Sequence, residues 1–586
     1  MRPSRCHAWP SSASCLSLVV LFAWIPASGI AQRTHRVTLN PAAVPITIAP
    51  GKTVQNAWVY NGQLPGPTIR VTEGDRLQVK VLNDLPEATS VHWHGLPVPL
   101  AADGVPGVSQ GAIGVGQEYD YDFVVTTPGT YWYHPHVDMQ IDRGLVGAII
   151  VDPKNSAADP RFDREYLLLV DDWLPGAPIP GRDPIYSDYL LNGKTSAGQT
   201  PLAVKQGEVV RLRVVNVSGA TPYVFTVDGH SMRVTHADGQ PVAPVIAGAI
   251  PIGPGERYDV YVDANHVGKW SIAFADLQNR SRTLVRAVLA YDGSNAPIPD
   301  ASYVPIALAS APLLTYAQLK SASPRGSLFA QPSRTYDLQL GMRMMQYVWT
   351  INGQAFPNAD PIFVSLQDRV RFRISNPTMM YHPMHLHGHF MLVHGSLGGT
   401  TAPLVKDTVL LPPGTMRSAT RIDVDWLADN PGRWPFHCHQ IYHMGAGMMR
   451  LVEYAGRDGD GDGLADGQDF DPHRGHAVTW TESGNYGIGT KVDFKAQWTP
   501  GQFSMWFVGA PLLQAVPFGL YGDSWIAPYI PLGASLVGVG GMSTLSFHLP
   551  NDAGLVGVRA GLQALTTTAT LAPGLRLSTL SYLTIR

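Results

Sequence analysis

Cysteine is almost missing from this chain. The 586 residues hold three, and two of them, Cys6 and Cys15, lie in a stretch where Arg2 and Arg5 precede an apolar run from Leu16 to Ile25 and Gly29-Ile30-Ala31 offers small residues for cleavage. That pattern predicts an export signal over residues 1–31, a mature chain starting near Gln32 and a periplasmic or extracellular address. No twin arginine is present, and Cys15 stands before the apolar run instead of at its end, which argues against a lipoprotein anchor. Only Cys438 then remains, so internal disulfides are excluded. Charge is scarce as well: 15% of residues are charged and the formal net charge is -3. There is no broad basic field to attract phosphate backbones, which sets nucleic acid aside as a partner. After the leader, no stretch runs long enough without glycine, proline or charge to span a bilayer.

What the chain does have is apolar mass and many turns. Hydrophobic residues make 45% of it, enough for several packed domains. Glycine (59) and proline (49) disfavour long helices and fit short strands joined by turns. The reading is all-β. Residues 32–158 alternate in strand fashion, as in Leu77-Gln78-Val79-Lys80-Val81-Leu82, between turn signals such as Asn61-Gly62 and Asp103-Gly104. Residues 159–305 repeat the style, with strands expected at Val209–Val217 and Arg257–Val262, but hold only scattered histidines (His230, His236, His266) and read as structural. Residues 306–334, rich in alanine, serine and proline, read as a linker to a third unit at 335–455. The run Val364–Ile374 with Asn376 echoes Val71–Leu82 with Asn83, which suggests that the first and third units are copies of one plan.

The chemistry sits in four clusters: His92-Trp93-His94, His134-Pro135-His136, His382-Pro383-Met384-His385-Leu386-His387, and His437-Cys438-His439 followed by His443 and Met448. On an extended chain residues i and i+2 share a face and lie roughly 6 to 7 Å apart, so each His-x-His pair can serve one metal or two neighbouring ones. One such pair could be incidental; four, split between two matching units, point to metal. In His437-Cys438-His439 the imidazoles face one way and the thiolate the other, so two sites share a strand. One thiolate, two imidazoles and a weak thioether form the ligand set of a blue-copper centre, which Cys438, His382, His443 and Met448 provide. Zinc also takes histidine and cysteine, but it needs no axial methionine and leaves eight imidazoles without a task.

These clusters, HWHG, HPH, HPMHLHGH and HCHQIYHMGAGM, resemble the copper signatures of the multicopper oxidases over roughly residues 40–455. The resemblance implies three cupredoxin-like β-sandwich domains and four copper ions. Type 1 copper would sit at His382, Cys438, His443 and Met448, type 2 at His92 and His385, and type 3 at His94, His134, His136, His387, His437 and His439. It also implies that a reductant gives single electrons to the type 1 centre, which pass through Cys438 to the cluster, where four of them reduce O2 to water. Protons are needed too, and Asp103 matches the position of the acid that follows the first copper motif in similar oxidases; read alone, Asp103-Gly104 is a turn. Many relatives carry a carboxylate between the cysteine and the next type 1 histidine, where this chain has Gln440, Ile441 and Tyr442.

Eleven of the sixteen methionines fall between Met342 and Met449. Thioethers select Cu(I), so cuprous ion is the favoured reductant and copper tolerance the favoured role; methionine also fills core gaps. The wording Tyr347-Val348-Trp349-Thr350-Ile351-Asn352-Gly353 is similar to the copper-resistance branch. A laccase acting on phenols and aromatic amines is the alternative, and a non-catalytic extracytoplasmic copper carrier a second one, although a carrier has no need of a blue site wired to a separate cluster. A two-copper nitrite reductase lacks the eight cluster imidazoles. In the linker 456–475, Asp458, Asp460, Asp462, Leu464, Asp466 and Asp469 fall at positions 1, 3, 5, 7, 9 and 12 of a calcium-type loop with Gly463 at 6. Residues 476–586 read as a small extra β domain of unassigned role.

Overall fold

The computed structural model describes residues 32–454, apart from short stretches at 156–158, 175, 324, 326–330, 344–345 and 397–402, and beyond 454 only the backbone of strands between 478 and 584. The expected export signal at 1–31, the calcium-type loop and the methionines at 344 and 345 lie outside the described residues. The architecture is all-β and built from cupredoxin-like sandwiches. Alternation dictates it: in Arg76–Leu82 the residues Leu77, Val79 and Val81 are buried while their neighbours reach outward. The strands expected at Val209–Val217 and Arg257–Val262 form as Val209–Asn216 and Arg257–Asp263.

The first unit pairs a three-stranded sheet with a four-stranded one, in which Ile69–Thr72, Gly147–Asp152, Gly129–His134 and His92–His94 lie side by side. The second and third units each pack a six-stranded sheet on a five-stranded one. In the third, the five-stranded sheet runs Ile362–Val364, Met449–Tyr454, Arg433–Cys438, His382–Leu386, Thr408–Leu411; in the second it runs Leu202–Val204, Val285–Tyr291, Lys269–Asp276, Tyr223–Val227, Ile250–Ile252. In both, the first pair is parallel and the rest antiparallel. The four-stranded sheet of the first unit repeats the first four strands of that order, its first pair parallel and the rest antiparallel, so the first unit, which the sequence echo links to the third, shares the plan as well. Asn83 and Asn376, which belong to the echo, each donate to two backbone carbonyls, whereas the second unit fills the histidine-bearing strands with apolar residues.

Residues 306–334 do more than span a gap. A short helix, Ile306–Ser310, and the buried Leu308, Leu314 and Leu319 pack this segment down. The Tyr316 hydroxyl donates to Glu256 (2.5 Å) and accepts from the Leu410 N–H (2.8 Å), tying the second unit to the third. The three units meet at an apolar patch of Trp132, Ile141, Leu169, Val215, Ile441 and Tyr442. Past residue 454, strands such as Lys491–Gln497, Phe503–Pro517 and Asp523–Leu536 pair antiparallel. Among the described residues, no helix is long and apolar enough to cross a membrane.

Candidate metal centres

Two centres form, and they share the strand Arg433–Cys438. In the first, Cys438 Sγ lies 3.6 Å from His382 Nδ1 and 3.8 Å from His443 Nδ1, and the two nitrogens are 3.2 Å apart. His382 enters on the adjacent strand, His443 on the short helix Ile441–Gly445. That helix is capped by Gln440, whose side-chain oxygen accepts from the His443 N–H (2.7 Å). Gln440 therefore shapes the turn that aims His443. Met448 is fully buried beside them; its N–H donates to the His443 carbonyl and its own carbonyl accepts from the Cys438 N–H.

Tautomers follow from the partners. The Thr378 hydroxyl donates to Asn376 Oδ1 (2.7 Å), so it accepts from His382 Nε2 (2.8 Å), leaving the Nδ1 lone pair aimed at the thiol. His443 Nε2 makes no aligned hydrogen bond but lies 3.3 Å from Asp183 Oδ1, a carboxylate that favours the proton on that nitrogen and the lone pair on Nδ1. Two lone pairs facing each other at 3.2 Å in a buried site call for a cation between them. Burial raises the Cys438 thiol pKa and lowers those of His382 and His443. The imidazoles are thereby kept neutral, and a bound metal would make the thiolate the stable form.

The second centre gathers the other eight histidines where the first and third units face each other. Ring centroids of the i, i+2 pairs are 6.0 Å apart for His92 and His94, 5.7 Å for His437 and His439, and closer, 4.9 Å, for His385 and His387. The rings form one continuous cluster, with His92 stacked on His387 and His94 on His385, both at 3.9 Å. His94, His134 and His439 lie 4.7 to 5.7 Å from one another, His136, His387 and His437 5.0 to 5.2 Å, and His92 and His385 face each other at 6.0 Å. His92, His134, His385 and His437 each donate Nδ1–H to a backbone carbonyl at 2.7 to 2.9 Å. Nε2 of the first three is buried without a protein partner, as is that of His136; the His437 Nε2 faces His387 Nε2 at 3.0 Å. His387 Nδ1 meets the buried Asp103 carboxylate at 3.0 Å, so two lone pairs again converge. Both ring nitrogens of His439 are unpartnered. Burial lowers the pKa of every one of these rings for which a shift is resolved, His437 to about 4. Orphaned neutral imidazoles with carboxylates behind them are a fitting cradle for metal cations.

Asp103 is both a turn residue and a site residue. Its carbonyl accepts from His92 and its carboxylate from His387. Sequence reasoning missed Asp407, whose Oδ1 lies 3.2 Å from His94 Nε2, as well as Thr408, Asp183 and the pairing of the Tyr442 hydroxyl with Asp142 (2.5 Å). Nothing local marks them, because their partners lie 257 to 314 residues away or, for Thr408 and His385, inside an ordinary strand pairing.

Sandwich domains that carry a thiolate–imidazole site wired by one strand to an eight-histidine cluster define a copper redox protein. The multicopper oxidase family profile matches residues 43–156, 166–294 and 329–457. The chain is 36% identical to multicopper oxidase MmcO of Mycobacterium tuberculosis (strain ATCC 25618 / H37Rv), over 72% of this chain and 87% of that protein. It is 28% identical to copper resistance protein A of Escherichia coli, over 73% and 94%, and 29% identical to laccase-1 of Trametes villosa, over 70% and 88%. A crystal structure of a multi-copper oxidase from Pseudomonas thermotolerans matches with a TM-score of 0.58 at 29% identity, covering 72% of this chain and all of that one. The chain belongs to the multicopper oxidase family. It is an oxidoreductase.

Proposed function

We propose that the chain oxidises cuprous ion, coupling four one-electron oxidations to the four-electron reduction of O2 to water, and that this serves copper tolerance. One observation carries the choice of reductant. Met379 and Met416 stand exposed on two loops tied by the Gly414 N–H to the Thr378 carbonyl (2.7 Å), and Thr378 is the residue that holds His382 Nε2. The thioether of Met379 thus stands one residue from a partner of the first centre, with Met416 on the loop tied beside it. Met384, Met391, Met448 and Met449 are buried, so gap filling accounts for much of the methionine richness; Met342, Met380 and Met444 are half-buried. The likeness to a copper resistance protein favours the same reading.

In this reading His382, Cys438, His443 and Met448 would hold type 1 copper, and His92 with His385 would hold type 2. His94, His134, His136, His387, His437 and His439 would hold the type 3 pair, giving four ions per chain. Bound copper supplies the one-electron redox changes. Cys438, flanked by His437 and His439, joins the two centres through a few covalent bonds. Asp103, against His387 Nδ1, is placed to hold and release the protons that oxygen reduction consumes. The expected export and the calcium-type loop belong to the same proposal, since an exported chain meets both copper stress and calcium. The laccase alternative is favoured by Asp183, whose partly exposed carboxylate beside His443 Nε2 could take a phenol's proton.

Oxygen uptake by copper-loaded protein with cuprous ion or with a simple phenol, on one preparation and with autoxidation subtracted, tests this. Rapid uptake with cuprous ion alone supports the proposal. The reverse makes the protein a laccase, and no uptake with either revives the copper carrier.

A further inference from the structure

The second sandwich supplies none of the copper-type ligands, yet it reaches the cluster through one buried side chain. Arg257 is fully buried and forks onto Asp407 of the third unit, Nη1 to Oδ1 at 2.6 Å and Nη2 to Oδ2 at 2.7 Å. Its Nε–H donates to the Thr130 carbonyl of the first unit (3.0 Å), so one guanidinium touches all three units. Asp238 steadies both partners, accepting from the Arg257 N–H through one oxygen (2.9 Å) and from the Asp407 and Thr408 N–H groups through the other. A bidentate Arg–carboxylate pair of this kind fixes the carboxylate plane as well as its charge.

Asp407 Oδ1 then faces His94 Nε2 at 3.2 Å, beside the Thr408 hydroxyl at 3.1 Å, and the Asp407 carbonyl accepts from His385 Nδ1 (2.9 Å). His94 departs from the rings that donate Nδ1 to a backbone carbonyl. Its proton sits on Nε2, which donates to the carboxylate, and its orphaned Nδ1 is the atom left for the cluster. Two glycines record how tightly this is built. A Cβ on Gly95, the glycine of HWHG, would lie 2.5 Å from Arg257 Nη2 and 2.6 Å from Asp407 Oδ2. A Cβ on Gly255 would meet the rings of His94 and His439 at 3.0 and 3.2 Å.

We propose that Arg257 is a positioning residue for the histidine cluster: by clamping Asp407 it sets the tautomer of His94 and the seats of His94 and His385, so that the ligand-free second domain governs copper loading of the cluster. The inference rests on the assignment of those histidines as copper ligands. Asp407 itself, engaged by the guanidinium, is a support and not a ligand.

The test is copper titration of the metal-free full chain against a competing chelator. The blue absorption reads the first centre, and the electron paramagnetic resonance of the non-blue copper, with total bound copper, reads the cluster. Arg257→Gln is expected to keep the blue signal while cluster affinity falls about 10- to 100-fold, the usual cost of losing an outer partner of a metal ligand. Arg257→Lys, which keeps the charge but cannot fork, should fall between. Tyr316→Phe, which breaks a contact between the same two units without touching a histidine partner, should load like the parent. Cluster affinity and resonance unchanged in Arg257→Gln would overturn the proposal. Should that variant form no blue site, Asp407→Asn takes its place: cluster copper lost with the blue signal kept supports the proposal, and loading like the parent overturns it. A parent chain that fills its blue site but binds no cluster copper would instead refute the ligand assignment.

Discussion

The second and third sandwiches share one strand plan and differ in what lines it. Where the third places His382-Pro383-Met384-His385-Leu386, the second places Tyr223-Val224-Phe225-Thr226-Val227; where the third has Arg433–Cys438, the second has Lys269–Asp276. Both strand pairs are buried and antiparallel. The second sandwich demonstrates that the plan needs no histidine or thiol to pack. The third has exchanged apolar contacts for polar groups that are orphans without a cation, so its ligands serve chemistry at the expense of packing.

The largest effects that would sharpen this contrast are on turnover. Cys438→Ser should abolish the blue absorption and lower oxidase turnover by about 10⁴-fold or more, because groups that act as a unit cannot stand in for one another. Asp103→Asn should keep both copper signals and cost about 10²-fold or more in turnover, the range for a lost proton donor. An Asp103→Asn enzyme with parental turnover would make Asp103 a turn residue only.

Next come matched core truncations. Phe225→Ala in the second sandwich and Met384→Ala in the third should each cost about 2 to 5 kcal/mol, read from the denaturant midpoint of the metal-free protein. Only Met384→Ala, whose cross-strand partner is Cys438, should also disturb the blue centre. Equal disturbance from both would mean that the two sandwiches are not energetically separable.

Much of this division was legible in the sequence, and for a physical reason. Alternation of side chains along a strand makes a His-x-His pair readable as a shared face, and Cys438 between His437 and His439 as two opposed sites. The β class followed from turn residues and alternating runs such as Arg76–Leu82. The supports were not legible. Asp407 sits in Lys406-Asp407-Thr408, Arg257 in an ordinary strand and Asp183 in a loop; each acquires meaning only from partners brought close by domain packing. The second unit read as merely structural because motif reading sees ligands and overlooks what holds them. The segment 306–334 read as a linker from composition, since three buried leucines among alanines and serines leave no periodic trace.

The pH response offers a further way to separate the two sandwiches. Burial depresses His382, His385, His387 and His437, the last to about 4, against about 6.5 in an unfolded chain. Below about pH 6.5 the unfolded state therefore binds more protons, and the stability of the metal-free third sandwich falls as pH drops towards 4, while above 6.5 this contribution is fully present. In the second sandwich burial alone would raise Asp259, but Arg213 and Arg211 override it and hold its carboxyl well below the usual range. That contribution persists until pH falls below the ordinary carboxylate pKa. Hydrogen exchange of the metal-free protein, corrected for intrinsic rates, should show His382–Leu386 losing protection before Tyr223–Val227 on acidification. Simultaneous loss would break the contrast.

The smallest effect separates scaffold from site most finely, because it involves a residue that both sandwiches use alike. Asn216 in the second donates through Nδ2 to the carbonyls of Thr221 and Ile252, and Asn376 in the third to those of Met380 and Pro412; each also accepts a backbone N–H two residues on. Replacing either by alanine strands buried carbonyls, at about 1 to 3 kcal/mol. Asn376 alone also accepts from the Thr378 hydroxyl, which in turn receives His382 Nε2. Asn376→Ala should therefore add to the common stability loss a shift in the blue absorption and in the potential of the first centre, with Asn216→Ala leaving both unchanged. Equal stability losses with a spectral shift in one alone would locate the difference between the two sandwiches in what a shared hydrogen bond is connected to. An unshifted spectrum in Asn376→Ala would mean that the centre is held by its ligands and not by the turn beneath them.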